Sequence, residues 1–159
     1  MSTRHHYVLQ LPVPSAVLQI QHPPGGTLRH PRLEEVEALA ELMLDAYLNT
    51  IDYEGEGTDE ALEEVNQWFA SAPRLDASWV YASGDIILSA CLVNRTEEAA
   101  MIGYIITRST WKQRGLGAYV VRQSLLSLQD SGAHEVHAWV TEGNTPSEKI
   151  MRRFGFARA

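Results

Sequence analysis

One stretch, IITRSTWKQRGLGAYVV from Ile105 to Val121, restricts the fold more than any other part of the chain. It reads as a β-forming run, a basic connector and a glycine turn that opens a helix. Gly115 and Gly117 let the backbone turn sharply and approach a ligand with no side chain in the way. The first amides of the helix have no partner within it and point outward with the positive end of the dipole. Lys112 and Arg114 place charge beside those amides, so the pattern predicts an anion such as a pyrophosphate, held by several charge-assisted bonds. A glycine turn that merely joins strand to helix is the plainer alternative. Two familiar phosphate sites do not fit. The loop of nucleotide hydrolases needs GxxxxGK followed by Ser or Thr, which is absent. A dinucleotide fold needs a third glycine where Val120 stands, and an acidic residue at the end of the following strand.

The elements around this stretch follow from periodicity. Residues 1–26 read as an N-terminal extension with two short extended stretches, Tyr7 to Leu11 and Ala16 to Gln21, broken by Pro12 and Pro14 and closed by PPGG. Leu33, Val36, Leu39, Ala40, Met43, Leu44 and Tyr47 recur at steps of three and four and predict an amphipathic helix. The acidic loop IDYEGEG follows, and Thr58 is placed to cap a second helix running to about Phe69. Trp79 to Ala82, Ile86 to Val93 and Ala100 to Thr107 read as strands, the first two joined by the turn signal SGD. A helix over Gly117 to Ser131 ends at Gly132, Val136 to Val140 is a further strand, and Thr145-Pro146-Ser147-Glu148 reads as a capping box opening a last helix to about Arg153. The order predicts an α+β domain over residues 27–159.

Composition narrows the functional classes. A chain of 159 residues with 45% hydrophobic content suits one domain with a real core. No apolar run approaches the roughly 18 residues a membrane span needs, and MSTRHHYVLQLP lacks a signal-peptide core, so a cytoplasmic chain with no membrane partner is expected. The net charge of -7 disfavours nucleic acid. It is unevenly spread: residues 1–100 carry 5 Lys and Arg against 16 Asp and Glu, and residues 101–159 carry 8 against 4. This is either two solvated faces of opposite sign or an anion-seeking C-terminal third. Cys91, inside IILSACLV, reads as a buried structural thiol. His134 and His137, three apart on a strand, point to opposite faces and suggest no metal. No GxSxG elbow occurs, and Ser124 and Ser127 hold ordinary helix positions. Trp111 and Trp139 flank the informative segments and read as core or as walls of a site.

KQRGLGA (Lys112 to Ala118) resembles the cofactor loop of the GCN5-related N-acetyltransferase (GNAT) superfamily, Gln/Arg-x-x-Gly-x-Gly/Ala. EGNTPSEKIMRRFGF (Glu142 to Phe156) is similar to that family's C-terminal motif, in which Asn follows a strand, a helix follows Asn, and Gly-Phe closes the helix. The resemblance implies a mixed, mainly antiparallel sheet flanked by helices and splayed between its fourth and fifth strands, with acetyl-CoA in the notch. It implies that the amides of Gln113, Arg114, Gly115, Leu116, Gly117 and Ala118, with Lys112, cradle the pyrophosphate. Pantetheine would then pair with the backbone of Ile105, Ile106 and Thr107 and touch Asn144. The implied reaction is acetyl transfer to a primary amine, of a small molecule or a peptide, by direct attack in a ternary complex. A non-catalytic CoA-binding module is the alternative.

Three departures bear on that reading. Lys112 stands where Gln or Arg is usual, so the charge survives but the forked donor does not. Met151 stands where many relatives carry a tyrosine acid. Few residues follow Phe156, so a strand from residues 7–21, or one from a second copy in a homodimer, is expected to cover the sheet edge. Candidate bases are Glu98, Tyr104, Asp45 and Glu54, with Ser147 as a hydroxyl or water anchor. Asp52 and Glu54 are either solvated loop acids or the selectors of a cationic acceptor.

Overall fold

The computed structural model describes residues 3–97 and 99–159. Its strands are Arg4–Gln10 (β1), Thr27–Arg29 (β2), Trp79–Ser83 (β3), Ile86–Arg95 (β4), Ala100–Thr107 (β5), Glu135–Thr141 (β6) and Ala157–Arg158 (β7). Its helices are Val36–Tyr47 (α1), Thr58–Ala70 (α2), Leu116–Asp130 (α3) and Thr145–Phe154 (α4). The strands form one sheet in the order β2-β3-β4-β5-β6-β1-β7. Every pairing is antiparallel except β5 with β6. This is the α+β arrangement expected from the element order.

β4 is buried on both faces, which is why its sequence runs apolar without alternation. Its two faces feed two separate cores. Ala90 and Leu92 pack with Leu39, Met43, Val65 and Trp68 of α1 and α2. Cys91 and Val93 join Val120, Leu125, Met151 and Phe154 of α3 and α4. In that setting burial pushes the Cys91 thiol up to about 12.

Local chemistry sets most boundaries and corrects several expectations. α2 begins one residue earlier than a Thr58 cap would place it: Gly57 is the cap residue, and its amide donates to Glu60 Oε2 at 3.1 Å. α4 is capped by Asn144, whose Oδ1 accepts from the Ser147 amide at 3.2 Å, so Pro146 lies second in the helix rather than first. The same helix ends as Gly-Phe should. Gly155 takes φ 89°, its amide donates to the Arg152 carbonyl, and the Phe156 amide donates to the Met151 carbonyl at 2.9 Å. That is a Schellman closure, with Phe156 buried against the core.

Residues 15–18 form a 3-10 turn instead of the extended stretch expected, because the Val17 amide donates to the Pro14 carbonyl and Leu18 is anchored in the core. β2, only three residues long, is too short to show any period and was not legible. The sheet edge expected to need cover is covered from within the chain. β1 pairs with all of β6, from Arg4 opposite Thr141 to Gln10 opposite Glu135, and the short β7 then pairs with β1 at Tyr7 and Val8. Tyr7 and Leu9 are buried there, each worth about 1.5–3 kcal/mol of transfer free energy.

Candidate active site

The parallel pair β5 and β6 is joined at only three positions: Ala100 with Val136, Met101 with His137 and Ile102 with Ala138. Beyond Ile102 the strands part. Counted from β2, they are the fourth and fifth strands, so the splay lies where it was expected. The divergence coincides with a bulge. The β4–β5 register shifts between Leu92 and Val93, leaving Gly103 as the extra residue. Glycine suits the position, because a Cβ would sit 2.6 Å from Asn94 Oδ1 and push that side chain aside. A cavity of about 970 Å³ opens along the split. From Gly103 onward the β5 edge has no strand beside it, so its amides and carbonyls can receive an extended chain carrying amide groups.

At the far end of that edge, Gln113 and Gly115 both take left-handed φ, 65° and 79°, and turn the connector into α3. The first helical bond is Tyr119 N to Gly115 O, at 3.0 Å, so the amides of Leu116, Gly117 and Ala118 precede it and face outward. Gly117 stands where β5, α3 and α4 meet: a Cβ there would lie 3.1 Å from Ile150 Cδ1 and 3.7 Å from Ile105 Cγ2 and Thr107 Oγ1. The bare backbone keeps that corner open, which fits a pyrophosphate on the amides with its arm along β5. The two cations of the loop are placed differently. Lys112 Nζ donates to the Ala46 carbonyl at 2.7 Å, stitching the connector to the end of α1, while Arg114 lies 4.6 Å over the Trp111 ring. Ile105 lines the cavity, Ile106 is turned into the α1–α2 core, and the Thr107 hydroxyl is hydrogen-bonded with Ser89.

The opposite wall is built from side chains. Asp52, in the loop between α1 and α2, accepts from Thr141 Oγ1 at 2.7 Å and from Asn144 Nδ2 at 2.9 Å. Both of its oxygens are thereby engaged, and it bolts the loop to β6 and α4. Asn144 is held at both ends, by Asp52 and by its own capping bond. Glu54 borders the cavity, and Ser147 and Met151 line it from one face of α4, with Met151 fully buried. Asp45 lies elsewhere. Its carboxylate caps the turn at Ser109, accepting from the amide at 2.6 Å and the hydroxyl at 2.9 Å. Glu98 lies outside the described residues. Trp139 is half exposed at the mouth, stacked on His6 at 4.6 Å with 8° between the rings, so it is wall rather than core.

Tyr104 donates from its phenol to Glu64 Oε1 at 2.6 Å. Burial, then the bond to Glu64, pushes the Tyr104 pKa far above its ordinary value, so the phenol is a proton donor and not a ready base. Glu64 was not among the sequence candidates, although a signal existed. On α2 the buried residues are Ala61, Val65 and Trp68, and position 64 falls in the same stripe at i, i+3, i+4, i+7. A carboxylate in an apolar stripe is the mark of a group facing something other than bulk water.

A sheet split at a parallel pair, with a glycine turn opening a helix beside the split, defines a class of proteins that hold a CoA thioester along a strand edge. The comparisons agree. The acetyltransferase (GNAT) domain family matches residues 27–157, and the chain belongs to that family. No curated protein sequence matches the chain. Among solved structures it is similar to a GCN5-related N-acetyltransferase from Sphaerobacter thermophilus, with TM-score 0.76 and 18% identity over 98% of this chain and 48% of that one. The chain thus spans about half the length of that protein. It is also similar to a ribosomal-protein-alanine N-acetyltransferase from Brucella melitensis, with TM-score 0.67 and 19% identity over 82% and 84% of the two chains. A GNAT family acetyltransferase from Brucella melitensis in complex with acetyl-CoA gives TM-score 0.65 and 18% identity over 84% and 86%. At these identities the structural likeness speaks for the fold; the family rests on the match over 27–157. Acetyl-CoA is the co-substrate of this family.

Proposed function

We propose that the chain transfers an acetyl group from acetyl-CoA to a primary amine, by direct attack in a ternary complex. The observation that carries this reading is the unpaired β5 edge beyond Ile102, leading to the glycine turn at the start of α3. In this reading the amides of Gln113 to Ala118 bind the pyrophosphate, the backbone of Ile105 and Thr107 takes the pantetheine amides, and Asn144 and Ser147 border the thioester. The acceptor enters between the α1–α2 loop and the mouth of β6, where, among the described residues, Asp52, Glu54, Glu56 and Glu64 line the cavity against one cation, Arg4. That excess of carboxylates favours a cationic acceptor, in agreement with the acidic first hundred residues.

The test is acetyl-CoA turnover across a panel of alkyl monoamines, diamines, amino acids and short peptides, followed by a salt series on the best acceptor. A cationic amine should be preferred, with a Michaelis constant that rises with ionic strength. Equal turnover of neutral and anionic acceptors would remove the acceptor assignment, and acetyl-CoA binding without any turnover would leave a binding module.

A further inference from the structure

Two oxygens stand out among the residues that line the cavity around the β5 bulge. The first belongs to Glu64. Its Oε1 accepts from the Tyr104 phenol at 2.6 Å, while Oε2 has no partner among the described residues. Among the other carboxylates of the wall, Asp52 has both oxygens engaged, Glu56 accepts from the Glu54 amide, and Glu54 is exposed on the α1–α2 loop, where nothing among the described residues holds its carboxylate in place. The second oxygen is Asn94 Oδ1, which is buried, has no hydrogen-bond partner among the described residues and lies against the bare Cα of Gly103. A buried acceptor with no donor is costly, on the scale of a full desolvation penalty, unless a ligand supplies the donor. Asn94, Tyr104 and Glu64 all line the same cavity, and Tyr104 follows the position where β5 leaves β6. A primary ammonium brings three N–H donors and one positive charge, which matches one free carboxylate oxygen and one orphaned carbonyl.

Building on the acetyl-transfer reading, we propose that Glu64 and Asn94 bind the acceptor as a primary alkylammonium, and that Glu64 takes its proton. Tyr104 is a positioning residue: its phenol fixes one carboxylate oxygen and leaves the other directed at the acceptor. The chemistry balances. The ammonium gives one proton to Glu64 and becomes a neutral amine, whose lone pair attacks the thioester carbonyl carbon. The C–S bond then breaks with its electron pair on sulfur, and the nitrogen's second proton passes to the thiolate. The products are the amide and the CoA thiol, and Glu64 returns its proton to water.

The experiment compares wild type, Glu64→Gln, Tyr104→Phe and Asn94→Ala, using the best amine of the panel from pH 6 to 10. Loss of a positioned base typically costs 10²-fold or more, so Glu64→Gln should lower kcat/KM about 100-fold at pH 7. In that variant log kcat/KM should then climb with unit slope toward the amine's own pKa, about 10.4 for a lysine-like amine, and the gap to wild type should close to under tenfold by pH 10. Asn94→Ala should raise the acceptor's KM about 10- to 100-fold with kcat little changed, the scale of one hydrogen bond to a charged group. Tyr104→Phe should cost a similar factor and steepen the pH profile toward that of Glu64→Gln. Acetyl-CoA should stabilise all four proteins equally, which separates loss of the acceptor site from loss of the fold or the donor site. A drop in Glu64→Gln that is uniform across pH, or smaller than threefold at pH 7, would overturn the proposal. Should no amine turn over in wild type, the acetyl-transfer reading fails by itself. Calorimetric binding of n-butylamine at saturating CoA then decides the site, with at least tenfold weakening in Glu64→Gln supporting it and equal affinity refuting it.

Discussion

The two walls of the cavity are made of different material. On the wall we assign to the donor, the β5 edge presents backbone amides and carbonyls and leads on to the first turn of α3, and side chains matter chiefly by their absence at Gly103, Gly115 and Gly117. On the acceptor wall the backbone is spent in sheet and helix, and binding falls to side chains brought from far apart: Tyr104 to Glu64 across 40 residues, and Asp52 to Thr141 across 89. A backbone site is written locally, because the turn that exposes it needs particular φ values and particular small residues in a row. A side-chain site is assembled by topology, and no short segment contains it.

If the walls are separable, substitutions should divide cleanly between donor and acceptor behaviour. The largest effect is expected from Gly117→Val. At a hundredfold excess over its dissociation constant, acetyl-CoA should stabilise the wild type by about 2.7 kcal/mol, or about 5–10 °C in a domain of this size. In the variant that shift should fall below about 1 °C, while the apo protein keeps its fold, because the Cβ meets the movable end of Ile150. Gly115→Val should lose the shift too and also weaken the apo protein, since φ 79° strains a β-branched residue by about 1–3 kcal/mol. Differential scanning fluorimetry with and without acetyl-CoA reads both, and a preserved shift in both variants would place the donor elsewhere.

Asp52→Ala sharpens the comparison from the other side. Each hydrogen bond to a charged group contributes about 1.5–3 kcal/mol, and Asp52 accepts two that tie the α1–α2 loop to β6 and α4. Amide exchange over residues 50–57 should speed up at least tenfold and the acceptor's KM should rise about tenfold, with the acetyl-CoA shift mostly retained. Loss of that shift would mean that Asn144, freed from Asp52, couples the walls. The smallest effect is expected at Met151. It is fully buried beneath the cavity, and Met to Leu conserves volume at a cost below about 1.5 kcal/mol, so single-turnover rates of Met151→Leu should change less than tenfold. A hundredfold loss would instead show that this position touches the reacting atoms.

The glycine turn at the start of α3 was legible from residues alone, as were the strand from Ile86 to Val93, which the fold extends to Arg95, the strand Ala100–Thr107 and the helix that follows them, because apolar runs, glycine turns and caps act over a few residues. The Gly-Phe end of α4 was legible for the same reason, since one left-handed glycine and one buried aromatic complete it. Only the tertiary structure decided that the β6 edge is covered by Arg4–Gln10, because strand pairing depends on which edge is left unpaired after the whole sheet has formed, not on the strand's own composition. Only the tertiary structure decided that Lys112 serves the end of α1, that Asp52 is a bolt, and that Glu64 faces the split beside Asn94. The charge of a side chain is local, but its partner is whichever group the packed elements bring within about 3 Å, and that distance is set by the fold as a whole.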